Sequence, residues 1–218
     1  MRITHLMKHW NDAACLLVKP FPELSNLENS PILGVSVKLY TLMLNIRLAF
    51  EGGFTRLSEL EAEVAGLVHL DGDSMADDVS DLLSLEASIL VGQLLTGLRK
   101  PQAAAHNDDR LLRMSSILRR RASDDVWRHC HFCNWPVYTA GWLFSAAEDI
   151  ELVRQDLHRR WMITKFQLYN TLRQDLELEW SKRGVLDGRA RNDAVAIGTS
   201  ERTREIKDMY TRCGPQAT

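Results

Sequence analysis

Apolar residues recur at helical spacing along nearly the whole chain, and no stretch alternates apolar and polar residues between hairpin turns. That pattern excludes an all-β or Rossmann-type fold, because both need recognisable strand segments. The expected class is all-α: an irregular multi-helix bundle of roughly eight to ten helices with no substantial β-sheet. The spacing predicts helices near 3–18, 31–50, 58–70, 77–98, 109–121, 124–134, 137–145, 148–161 and 164–181. Ser30-Pro31 reads as an N-cap followed by proline at the first helical position. Ser58 with Glu61, Ser145 with Glu148, and Thr164 with Gln167 read as capping boxes. Pro136 is expected to stop the helix before it, since proline disfavours a helical residue at the preceding position.

Lys100 to Asn107 is a polar connector and the expected internal break. Residues 1–183 are read as one helical domain. Residues 184–218 are read as a flexible tail with a short frayed helix near 200–212.

Composition matters here chiefly for what it removes. With 45% apolar and 26% charged residues, the 218-residue chain has the mix of a soluble globular protein, not a disordered one. A net charge of −2 gives no global field for nucleic acid. The charge is uneven, however: residues 1–109 carry 8 basic and 15 acidic side chains, and residues 110–218 carry 19 and 14. Such asymmetry suits either a polyanionic neighbour or the docking of one half on the other. The most apolar run, Ala87 to Leu95, is well short of the roughly 20 residues that cross a bilayer, so no membrane association is expected. The first residues lack an uninterrupted apolar core of a secretory signal, so the four cysteines are expected to be reduced.

Three constellations could carry chemistry. His129, Cys130, His131 and Cys133 offer soft ligands with the spacing of one zinc half-site, but Cys15 and Cys213 are too isolated to complete it. Packing of Cys130 and Cys133 as small apolar groups on one helix face is favoured, with zinc or redox chemistry as the alternative. Arg119-Arg120-Arg121 could meet phosphates, yet a solvated helix C-terminus explains the run as well and is preferred. The pairs Asp77-Asp78, Asp108-Asp109 and Asp124-Asp125 fall where helices begin, which makes them caps. There is no phosphate loop, nucleophile elbow or His-Glu-x-x-His motif, so neither an enzyme nor a cofactor is expected.

One segment stands apart. Cys133-Asn134-Trp135-Pro136-Val137-Tyr138-Thr139-Ala140-Gly141-Trp142 is followed by Ala146-Ala147-Glu148-Asp149 and an apolar stripe ending at Trp161. This resembles the fungal-specific transcription factor domain, the helical regulatory region of binuclear zinc-cluster activators. Trp135, Pro136, Ala140, Gly141, Glu148, Trp161 and Trp180 are the positions that match its pattern, as structural residues. The likeness is good over residues 126–182 and only general over 31–125. The six-cysteine zinc cluster of that family is missing here. The resemblance therefore implies a nuclear regulator or co-regulator lacking its own DNA reader, or a truncated relative. It further implies a DNA-binding transcription factor or the transcription machinery as protein partner, and control of a secondary-metabolite gene cluster. Direct DNA binding is expected to be weak or absent. A helical scaffold without a gene-regulatory role, or a metal or thiol protein, would be the alternatives. Trp135, Gly141 and Trp161 are expected to be substantially buried.

Overall fold

The computed structural model describes residues 35–52, 56–67, 74–130 and 133–184. Among these the chain is all-α, with eight helices and no strand: α1 Val37–Phe50, α2 Leu57–Ala65, α3 Met75–Leu95, α4 Asp109–Arg121, α5 Asp125–His129, α6 Asn134–Leu143, α7 Ala147–Thr164 and α8 Gln167–Lys182. The helices expected at 3–18 and in the tail lie outside the described residues.

Side-chain caps fix several of the starts. Ser36, in extended conformation, accepts the N–H of Leu39 at 3.2 Å, so α1 begins at Val37; the start expected at Ser30-Pro31 lies outside the described residues. Ser74 accepts the N–H of Asp77 at 3.1 Å, and Asp108 and Asp124 accept from Arg110 and Val126, both at 2.9 Å. Asp108 and Asp124 hold their carboxyls below the usual range, the first chiefly through the Arg110 side chain and the second chiefly through the Trp127 N–H. The capping boxes do not form. Ser58 falls inside α2, Ser145 donates instead to the carbonyl of Ala104 at 3.1 Å, and Thr164 is the last residue of α7. Each lost its capping place to a shift in register of one or two residues.

Helix ends are set by backbone geometry. At the end of α3 the N–H of Gly97 bonds to Leu94 O at 2.9 Å and that of Leu98 to Gln93 O at 3.1 Å, with Gly97 at φ +84°. This Schellman closure stops the helix three residues before the expected Leu98. The polar connector that follows is fastened at both ends. Gln93 exchanges two hydrogen bonds with the backbone of Gln102, and Ala104 N donates to Leu143 O at 2.9 Å.

The helix expected over 124–134 is instead two. α5 ends at His129, where Cys130 is extended, and α6 starts at Asn134. Pro136 therefore sits in the first turn of α6 and does not end a helix. In that turn the missing N–H removes no intrahelical bond, so proline is compatible with it.

The chain divides into two compact units, Met1–Leu176 and Glu177–Thr218, and the division falls within α8. In the first unit α3 is the hub and packs on α1, α2, α4 and α6, while α7 packs on α4, α5 and α6. The core of α3 is Val79, Leu82, Leu83, Ile89, Leu90 and Leu94. The interface with α4 carries the charge asymmetry seen in the sequence. Asp81 takes Arg113 at 2.7 Å, and Asp78, only 2% exposed, takes both Arg120 and Arg121. The acidic first half thus docks on the basic second half. In the second unit, Arg183 pairs with Glu179 at 3.1 Å and Gly184 closes the helix with φ +70°. No helix among the described residues is long and apolar enough to cross a membrane.

Candidate protein-contact site

The arginine triplet fills the last turn of α4 with Arg119 and Arg120 exposed, as expected from sequence, but all three also meet carboxylates. Arg121 bridges Asp78 and Asp124, Arg120 reaches Asp78, and Arg119 meets Asp149 of α7 at 3.2 Å. Helix α4 ends in a run of cations that rivet it to α3 and α7. Phosphates would have to compete with carboxylates already in place.

The thiols are also placed differently. Cys130 lies after α5 and Cys133 before α6, so they do not share a helix face. Cys133 is fully buried, and burial, reinforced by the neighbouring Cys130 thiol, pushes its ionisation far up. A thiol held neutral in this way is a poor nucleophile and a poor metal ligand. His129 uses Nδ1 on the carbonyl of Asp125 at 2.7 Å, and His131 lies outside the described residues. Among the described residues no group of three His, Cys, Asp or Glu is placed to hold a metal ion.

The seven positions of the Trp-Pro signature do not converge on one site. Pro136, Ala140 and Gly141 are buried along α6. A Cβ on Gly141 would lie 2.7 Å from Leu176 Cδ1 and 3.1 Å from Val153 Cγ1, so only glycine lets α6 approach so closely. Glu148 is exposed in the first turn of α7, where its charge suits the helix N-terminus. Trp135 and Trp161 are partly buried, less completely than Gly141. Trp135 leans on Tyr138, ring centroids 6.0 Å apart, and the Trp161 ring is covered by Lys165 Nζ at 5.8 Å. Trp180, in the second unit, is fully buried.

Among the described residues of the first unit the fully buried tryptophan is Trp127, which the sequence did not single out. Its indole N–H donates to Asp156 at 3.0 Å, and Asp156 also holds the buried Arg160, Nε to Oδ2, at 2.5 Å. Arg160 lies 5.4 Å from the Trp127 ring centroid and donates to Cys130 O at 2.7 Å. This network ties α7 to α5 and to the turn before α6. The only cue to it in the sequence is Asp156 four residues before Arg160. A second buried charge-bearing group is Glu86 on α3. Both its oxygens lack a well-formed hydrogen bond, and burial holds its carboxyl well above the usual range against a weaker influence from the Ala140 backbone.

Exposed large apolar side chains gather at the joint of α7 and α8. Among the described residues of the first unit, the other large exposed apolar side chains are scattered along the sequence: Leu48, Leu95, Leu112 and Val126. At this joint three fall within five residues: Met162 (52% exposed), Ile163 (41%) and Phe166 (49%). Lys165 turns the chain there with φ 55°, a left-handed conformation uncommon for a residue with a side chain. Helix α7 therefore ends abruptly, and its last apolar residues are left at the surface.

The same joint is basic. Among the described residues every arginine except Arg99, Arg159 and Arg173 lies within 4 Å of a carboxylate. Arg159 instead donates to Ala122 O at 2.9 Å and Gln155 Oε1 at 3.1 Å. Arg173 contacts His158 Nδ1 at 3.2 Å and Asn170 at 3.3 Å. Lys165 lies against Met162 and Trp161. The joint is an apolar knuckle flanked by cations without acidic partners. It can bind by burial and charge, and it holds no arrangement for bond-breaking chemistry.

No family model, no curated protein and no solved structure matches this chain.

Proposed function

We propose that this protein is a helical regulator that works through protein–protein contact, and that its setting is transcription of the fungal zinc-cluster kind. The knuckle of Met162, Ile163 and Phe166 carries the first half of that proposal. Clustered exposed apolar side chains mark contact surfaces more often than single ones do. The transcriptional setting rests on the likeness of Trp135 to Trp142, with Glu148, Trp161 and Trp180, to the fungal-specific transcription factor domain. On this account the protein resides in the nucleus, serves a secondary-metabolite gene cluster, and reaches DNA through a partner that carries the zinc cluster. Its own affinity for duplex DNA is weak, non-specific and lost as salt rises. It is not an enzyme and needs no cofactor.

The test is to tether the full chain to a heterologous DNA-binding domain and read a reporter. A change in output supports the proposal, in either direction. An unchanged output leaves the knuckle with a scaffold that has no gene-regulatory role, since such a scaffold would use the same apolar surface.

A further inference from the structure

We infer that the α7–α8 knuckle receives an acidic amphipathic helix of a partner protein. The inference rests on the protein-contact proposal above and names the chemistry of the partner. The apolar stripe of such a helix would lie on Met162, Ile163 and Phe166, and its carboxylates would meet Arg159, Lys165 and Arg173.

Charge complementarity decides the occupant. In a chain that pairs nearly all its described arginines with its own carboxylates, Arg159 lies one turn before Met162 and Ile163 on α7, and Arg173 contacts His158, one turn before Met162. Neither is loose. Arg159 is held by Ala122 and Gln155, and Arg173 by His158 and Asn170, so their guanidinium groups are oriented before a partner arrives. Orientation in advance lowers the entropy lost on binding. A basic helix would be repelled, and a neutral one would leave these cations half-desolvated without compensation.

An anionic membrane also attracts cations beside apolar groups. Insertion, however, requires apolar side chains that reach about 5–10 Å into the headgroup boundary. Met162, Ile163 and Phe166 are each about half-covered and lie close to the surface. Single-stranded nucleic acid would stack its bases on aromatic rings. Here the Trp161 ring is already covered by Lys165, and Phe166 packs edge-on against Tyr169, centroids 6.0 Å apart.

The experiment uses the full chain and a labelled synthetic helix of leucine, phenylalanine and glutamate, read by fluorescence anisotropy. Counterparts with glutamine or lysine in place of glutamate, anionic phospholipid vesicles and a single-stranded oligonucleotide form the other arms. The acidic helix should bind tightest and weaken with salt. Arg159→Glu and Lys165→Glu should each weaken it about tenfold or more. Lys165 is exposed, so Lys165→Glu keeps the test valid if Arg159→Glu disturbs folding. Equal binding of the acidic and neutral helices, no effect of Lys165→Glu, or charge-dependent binding of vesicles or oligonucleotide alone would each overturn the inference. If the tethered chain moves the reporter while the acidic helix fails to bind, this inference falls and the contact proposal stands. If the helix binds and the reporter is silent, the inference stands and the regulatory setting falls.

Discussion

The indole N–H of Trp127 on α5 donates to Oδ1 of Asp156 on α7 across 3.0 Å, and the other oxygen of that carboxylate holds the buried Arg160. One carboxylate thus partners an indole N–H and the Nε of a buried guanidinium, whose Nη1 donates to Cys130 O. Asp156→Ala should cost about 3–5 kcal/mol, because it leaves a buried cation without its charge partner. Trp127→Phe should cost about 1–3 kcal/mol, since the carboxylate keeps Arg160 and loses one donor. Urea denaturation of both variants and their double checks this. Strict additivity would show that the two contacts are not coupled.

Gly141 and Gly92 make opposite demands although both lie in helices. A methyl group at Gly141 meets Leu176 and Val153 inside the core, whereas at Gly92 nothing lies within 4 Å. Gly92→Ala should stabilise the protein by about 0.5–1 kcal/mol through helix propensity and a less flexible unfolded chain. Gly141→Ala gains the same propensity but adds about 1–3 kcal/mol of overpacking, so its net effect is destabilising. Thermal melts of the two variants should shift in opposite directions.

Glu86 gives the fold a pH dependence at the alkaline side of its ordinary range. Its carboxyl is held above 4.5 in the folded chain, so folding favours the protonated form. The folded state then binds more protons than the unfolded state, and stability falls as pH rises from about 5 through the raised value. Glu86→Gln removes this slope. The stability gap between Glu86→Gln and wild type should widen with pH in urea titrations, and a constant gap would contradict the assignment.

Cys133 should resist alkylation in the folded protein, since it is buried and held as the neutral thiol. Cys130 is partly exposed and should react first. Peptide mapping after brief treatment with iodoacetamide distinguishes the two. Equal labelling would mean that the turn between α5 and α6 opens readily.

Where local chemistry alone fixes an element, the sequence was enough. α4 is an example: Asp108 caps it, Leu111 and Leu118 face inward, and its extent, Asp109–Arg121, is the one expected. The class, all-α, follows from periodicity in the same way. The joint of α5 and α6 was misread because the preference against helix before proline is local. It does not register that Pro136 can sit in a first turn, where no donor is needed. The partner that Arg120 and Arg121 share was invisible because Asp78 is more than 40 residues away. The knuckle was hidden for another reason. Met162 and Ile163 extend the apolar pattern of α7, and spacing does not register that the left-handed turn at Lys165 ends the helix with these side chains about half exposed.

The most direct test of the account compares reporter output of the tethered chain with and without Met162→Asp and Phe166→Ser. Leu112→Asp, at an exposed apolar residue on α4, serves as the control. All three variants should melt within a few degrees of wild type, since the altered side chains are largely in solvent. The account expects the knuckle pair to abolish the change in output and Leu112→Asp to preserve it. Full output from a folded Met162→Asp, Phe166→Ser chain would contradict it.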